Sequence, residues 1–380
     1  MTYARARLWL GISGVGSLVL LASCALAFEL PTRWLNVAES GLPQALGQLA
    51  AVTALVVCWL LPFDFLGGYW LPTRYGRSNQ RFSEWLRGYA IGVPLQASLF
   101  LVSGGAILWF SRGWGLLGAL AAILVGMLLS IMVRGSQIRW QRVDTEEDHR
   151  KLVDAMTLIQ SWRVFVPQTI LVSHRDVGFT GGIVGLGKRV KIVIPQAWLE
   201  FSVEQLAMAI ARRAMAIESG SYRRGVVTAV VWNTVGFLLC SLMPQAGLVT
   251  VAGLVTTVCW FTLWSFIGLL VLPTVSRNAS LKIDQLLAER GASADWIQAT
   301  ASSMDQLQDA EPERPPLIET IFHPIPNVSR RGGEAAVARF GAWNVARTTL
   351  FLSWGCLGFL SRAVHCNVGR PELWTMLPSD

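Results

Sequence analysis

Side chains that could hold a metal, attack a carbonyl or relay a proton are scarce in this chain, and most stand alone. Its four histidines are His149, His174, His323 and His365, and its six cysteines include no C-x-x-C pair. A protein zinc site gathers three or four ligands, often with two histidines four residues apart on one helical face. No histidine lies between His174 and His323, so the helical run Ser202–Glu218 near the centre of the chain has none to offer. That run instead carries Arg212 and Arg213 side by side, with Ala216 one turn further on. On a helical wheel Arg213 falls with Leu206, Ile210 and Ile217, the face expected to be buried.

Other candidates are weaker. A nucleophile at Ser276 or Ser280 would need a general base, and no His or Lys is suitably placed by sequence. His149, after Glu147 and Asp148, reads as a solvated helix residue, and His174 as a turn residue just past a strand. His365 with Cys366 gives two ligands, short of a zinc site. Cys24, Cys58, Cys240, Cys259 and Cys356 lie in apolar runs, where a thiol behaves as a small hydrophobe. Gly187-Lys188 lacks the glycine spacing and the following Ser/Thr of a phosphate-binding loop.

The elements that must position these residues are mostly membrane helices. Of 380 residues, 53% are hydrophobic and 15% charged, whereas a soluble domain carries roughly a quarter charged residues. Apolar runs near the ~20 residues needed to cross a bilayer place spans at Leu8–Phe28, Leu46–Phe65, Tyr89–Phe110, Trp114–Val133, Val226–Met243 and Leu248–Leu272. Thr348–Leu360 is too brief to be read as a span. Leu21-Ala22-Ser23-Cys24 resembles a lipoprotein processing site, but the later spans favour an uncleaved first helix. Pro62 to Gly68 predicts a break after the second span.

Net charge is +8, yet the arginines lie between spans rather than in a nucleic-acid patch. Arg5 and Arg7 precede the first span, Arg74 to Arg87 follow the second, Arg134 to Arg142 the fourth, and Arg277 and Arg290 the sixth. The alternate connections hold only Arg33 and Arg112. The positive-inside rule then sets the N-terminus and the polar segments in the cytoplasm, and no nucleic-acid partner is required. Ionisable groups look scarce within the spans, which disfavours a transporter or channel.

The polar segments read as α+β. Acidic residues at Asp144–Glu147 open a helix continued by Leu152, Met156 and Ile159. Thr169–Ser173 and Val190, Lys191, Ile192, Val193 and Ile194 read as strands, joined by a flexible glycine-rich connection at 178–187. A later helix is expected at Leu281–Arg290. The organisation expected is a four-helix membrane bundle at 1–134, a first polar part at 135–225, two inserted spans at 226–273, a second polar part at 274–340, and an apolar segment and tail at 341–380.

The order of these pieces resembles the membrane-embedded M48 zinc metallopeptidases, the Ste24 and HtpX group. The resemblance covers residues 140–335 and aligns Ser202–Glu218 with the helix that carries His-Glu-x-x-His in that family. It puts Arg212 at the first His, Arg213 at the Glu and Ala216 at the second His. The family pattern Ser-Arg-x-x-Glu-x-x-x-Asp matches Ser276, Arg277 and Asp284, with Ser280 in place of the third ligand, Glu. His323, Pro324 and Arg330 resemble the family's His-Pro segment. The strand at 190–194 matches one that can pair with an extended substrate.

The resemblance therefore implies a mainly α-helical polytopic membrane protein with a zincin-like cytoplasmic domain and a small sheet. With three ligands and the base replaced, it also implies no zinc, no other cofactor and no catalytic residue: a pseudopeptidase. Asp284, whose family counterpart supports a ligand histidine, is expected to pair with Arg212 or Arg213; two solvated arginines are the alternative. The expected role is binding of a polypeptide or membrane-protein partner in the bilayer, for regulation or scaffolding, in a bacterial inner membrane. An active metalloendopeptidase with an unconventional site and a transporter stay open.

Overall fold

Apolar runs become helices wherever the backbone must satisfy itself without water, and the computed structural model is accordingly mostly helical. It describes residues 1–137, 146–173, 178–308, 311, 313–331 and 340–371. His174 and the expected helix opening at Asp144 and Thr145 lie outside the described residues. Among the described residues, five helices are long and apolar enough to cross a membrane. Contacts divide the described chain into two units: Met1–Ser130, Ala229–Gly268 and the described residues from Thr349 onward form one, Ile131–Thr228 and Leu269–Thr348 the other.

In the first unit, α1 (Tyr3–Ala27) starts where the Thr2 hydroxyl accepts from the Arg5 amide, and the short α2 (Leu30–Trp34) follows. The second span, α3 (Leu42–Phe65), contains Pro62 but does not break there. The helix widens to a π-helical stretch at Leu66–Trp70 and runs into α4 (Leu71–Arg74). Gly67 and Gly68 act as contact points rather than breakers: a Cβ on Gly68 would lie 2.0 Å from the Gly369 carbonyl oxygen.

The third and fourth expected spans share one helical run, α5 (Phe82–Gln137), broken by non-helical backbone at Trp114 and Gly115. The six expected runs thus fall on five helices, completed by α8 (Ser221–Ser241) and α9 (Val251–Glu289), with α6 and α7 described below.

The C-terminal run Thr348–Leu360 is not one continuous helix. It folds as α12 (Val345–Leu352), a 3-10 turn at Ser353–Cys356 and α13 (Leu360–Ala363). From Ser353 to Val364 every residue is buried. Phe359 meets Phe100 of α5 with ring centroids 4.4 Å apart, and Gly14 of α1 leaves room for Ala363.

The second unit begins with α6 (Glu146–Ser161). Its sheet has the order β1 (Thr169–Val172), β3 (Lys191–Pro195), β2 (Gly182–Val184). β3 pairs parallel with β1 and antiparallel with β2. Two expectations are corrected here. The glycine-rich connection contains a strand, and Val190–Ile194 lies in the middle of the sheet rather than at its edge. With both sides of β3 hydrogen-bonded, no further chain can add to it. The glycines permit the hairpin: Gly181 and Gly185 take φ +68° and +83°, and a Cβ on Gly181 would lie 2.2 Å from the Val193 carbonyl oxygen.

The core of this unit gathers on α7 (Val203–Glu218). A reciprocal cap between Ser202 and Gln205 starts this helix, and Leu206 through Ala216 are buried on every face, as expected of an interior helix. Ile192 and Ile194 of β3, Trp198, Ala155 and Ile159 of α6, and Ile297 of α10 (Ala294–Gln308) enclose it. The helix expected at Leu281–Arg290 is the polar continuation of α9, unbroken at Pro273. α11 (Pro316–Phe322) begins at Pro316, where a missing N–H costs nothing.

Candidate functional site

Because α7 is interior, its two adjacent arginines cannot reach bulk water, and both are buried. A buried guanidinium is tolerated only when paired and hydrogen-bonded, and the two are served by different partners. Arg212 faces α9: its Nε donates to Asp284 Oδ1 at 2.7 Å and its Nη2 to Ser280 Oγ at 3.1 Å. Its guanidinium also lies over the Trp343 ring, 5.5 Å from the centroid. Arg213 turns toward the sheet, where Nη2 donates to the Thr180 carbonyl at 2.7 Å and the guanidinium lies 4.5 Å from the Trp198 centroid.

Asp284 is shared. Arg331 Nε donates to its Oδ2 at 2.9 Å and Arg331 Nη2 to its Oδ1 at 3.2 Å. One carboxylate therefore sits between two guanidiniums, all three side chains less than a tenth exposed. Burial, together with the nearby Arg331 cation, lowers the Arg212 pKa to about 10, so it remains charged at neutral pH.

The positions that the resemblance set together, Arg212, Ser280 and Asp284, do meet, with Ala216 fully buried one turn along α7. Of the two pairings left open for Asp284, Arg212 forms and Arg213 does not appear in it; the solvated alternative fails for both. Arg331 takes the place beside Asp284, while its neighbour Arg330, the residue singled out from the sequence, is exposed and pairs with Glu319 at 3.3 Å. The Arg330-Arg331 doublet was visible, but only the path of the chain decides which of the two turns inward. Thr180, Trp198 and Trp343 carried no sequence signal.

The other family-matching positions hold the surrounding frame. Arg277 caps the C-terminal end of α11, donating to the carbonyls of Glu319 and His323 at 2.5 Å each and of Thr320 at 3.1 Å, a use of arginine that satisfies orphan helix carbonyls. Ser276 Oγ accepts the Ala346 amide at 3.1 Å. His323 is buried and Pro324 half-buried on the segment that Arg277 fixes.

Zinc requires lone pairs aimed at one point. Guanidiniums offer donors only, and both oxygens of Asp284 already accept from arginines. The side chains at this place do not fit a divalent ion. Among the described residues no three His, Cys, Asp or Glu side chains converge as a metal site would need.

A second buried polar cluster lies in the first unit, around Asp64 inside the second expected span, with no motif in the sequence to signal it. Arg362, near the C-terminus, donates Nη2 to Asp64 Oδ2 at 2.6 Å, Nη1 to Gln96 Oε1 at 3.1 Å and Nη2 to the Tyr89 hydroxyl at 3.0 Å. Asp64 Oδ1 accepts the Gly369 amide at 3.0 Å. Arg7 donates to the carbonyls of His365 and Gly67 at 2.6 Å and 2.7 Å. Both arginines fasten the C-terminal segment to the spans.

Fold and site define an integral, multi-pass membrane protein with a small mixed sheet beside an interior helix. Its fold is that of Ste24p: the chain is similar to the crystal structure of S. mikatae Ste24p with a TM-score of 0.62, at 12% identity, over 83% of this chain and 79% of that one. No protein-family profile matches the chain, and no curated protein matches it in sequence.

Proposed function

We propose that this chain is a catalytically inactive M48-like membrane protein that binds a polypeptide or a membrane-protein partner in a regulatory or scaffolding role. The observation that carries the reading is the Arg212–Asp284–Arg331 cluster, standing where the sequence resemblance puts zinc and its ligands. A protein cation replaces the metal, and the side chains that would activate water are absent. The arginine distribution supports an N-terminus and polar segments in the cytoplasm, and we read the membrane as a bacterial inner membrane. An extended partner chain would add to an outer strand of the sheet, β1 or β2, since β3 is filled.

Elemental analysis of purified protein tests inactivity: one zinc per chain, or peptide cleavage abolished by Ser280→Ala, ends it. Photocrosslinking from Ile170 on β1 and from the exposed Leu186 just past β2, in native membranes, tests binding. Failure to capture any polypeptide from either position ends that part. A transporter is the second reading, and the buried Asp64–Arg362 cluster favours it, because ionisable groups inside membrane bundles often line pathways. Ion flux into liposomes, lost in Asp64→Asn, would establish it.

A further inference from the structure

We propose that one end of the membrane unit is a binding site for the phosphate-bearing headgroups of anionic lipids. Three chain segments meet there: the start of α1, the passage from α4 into α5, and the last described residues. The Tyr75 hydroxyl donates to the Met1 carbonyl at 3.1 Å, Tyr3 and Leu71 share a small buried cluster, and Trp85 Nε1 donates to the Gly369 carbonyl at 3.3 Å. Residues 1–9, 69–92 and 365–371 hold seven arginines and a single acid, Glu84. Arg5, Arg74, Arg77, Arg81 and Arg87 are exposed.

The opposite end of the same unit is balanced. Segments 27–45, 110–118 and 240–252 carry Arg33 and Arg112 against Glu29 and Glu39. Arg112 is used up in structure, donating to the Val249 and Ser40 carbonyls at 2.9 Å and 2.7 Å.

Two of the exposed guanidiniums at the basic end rest on rings. Arg74 lies 4.9 Å from the Trp70 centroid, and Arg77 lies 5.6 Å from that of Tyr3. A cluster of Phe65, Tyr69, Phe82 and Trp85 adjoins them, with centroids 5.3 Å to 6.3 Å apart. Tyr and Trp settle at headgroup depth in a bilayer, so the rings set the arginines at the level of lipid phosphates. Guanidinium planes suit phosphate oxygens, which accept two parallel hydrogen bonds. Clustered basic residues beside a span attract anionic lipid.

The test uses the purified full chain in detergent, titrated with phosphatidylglycerol or phosphatidylcholine and followed by thermal unfolding and native mass spectrometry. Phosphatidylglycerol should be retained and should raise the unfolding temperature, with phosphatidylcholine weaker and the effect fading as salt rises. Replacing Arg74, Arg77, Arg81 and Arg87 by Gln should weaken phosphatidylglycerol retention by about tenfold or more; the same four changed to Lys, which keeps the charge but not the two parallel hydrogen bonds, should fall between the unaltered chain and the Gln variant. Arg33→Gln at the opposite end should change nothing. Equal retention of both lipids, or undiminished retention in the Gln variant, overturns the proposal. Equal stabilisation by soluble glycerol phosphate overturns the lipid source. If the Gln variant does not fold, salt-insensitive binding by the unaltered chain is the overturning result.

Discussion

Arg212 Nε lies 2.7 Å from Asp284 Oδ1, although 72 residues separate them. The contact joins α7 to the polar end of α9 at the point where the resemblance to zinc peptidases puts a metal. A buried ion pair is poor evidence of net stability, because desolvation offsets the attraction. Its value lies in what happens when one partner is removed.

Asp284→Asn should therefore be severe, since it strands Arg212 and Arg331 together without a carboxylate. A cost of about 3–5 kcal/mol is expected, seen as a large fall in the unfolding temperature of the detergent-solubilised protein. Replacing Arg212, Asp284 and Arg331 together by Met, Leu and Met removes every charge and should recover most of that loss. Equal damage from the single and triple variants would show that the cluster acts through shape rather than charge.

On the proposed reading, supplying ligands at the positions the resemblance names should create a metal site. The fourfold variant Arg212→His, Arg213→Glu, Ala216→His and Ser280→Glu puts two imidazoles and a carboxylate around one point on α7 and α9, with a second carboxylate as base. Elemental analysis should find about one zinc per chain in it. A folded variant that takes up no zinc would show that this helix pair is not a degenerate metal frame.

The hairpin between β2 and β3 depends on missing side chains. Gly181→Ala would put a Cβ 2.2 Å from the Val193 carbonyl oxygen on backbone at φ +68°. The strain alone costs about 1–3 kcal/mol, and the clash adds to it. Amide exchange at Ile192–Ile194 should accelerate in this variant, whereas Gly187→Ala, with φ +57° but open space around its Cβ, should leave those amides nearly as protected. Equal protection in both variants would refute the packing account.

Asp64 and Arg362 should behave as one unit. Each changed alone to Leu leaves a buried charge and costs about 3–5 kcal/mol; the double variant should cost well under the sum. Limited proteolysis of the C-terminal segment should track the loss, because Arg362 is one of its two guanidinium fasteners. Additive effects would mean that the two side chains act independently.

Composition alone was enough to place this chain in a membrane: long apolar runs can satisfy their backbone only as helices. The family resemblance, not periodicity, set Arg212, Arg213, Ser280 and Asp284 near one another, and it left open which of the two arginines would meet Asp284. The inner strand, the inward turn of Arg331 rather than Arg330, and the reach of Arg362 to Asp64 across 298 residues are set by which surfaces exclude water together. Glycines that look like breakers became contact points for the same reason. A side chain's local preference is written in its neighbours in sequence, but its burial and its partner depend on chain segments that only folding brings alongside.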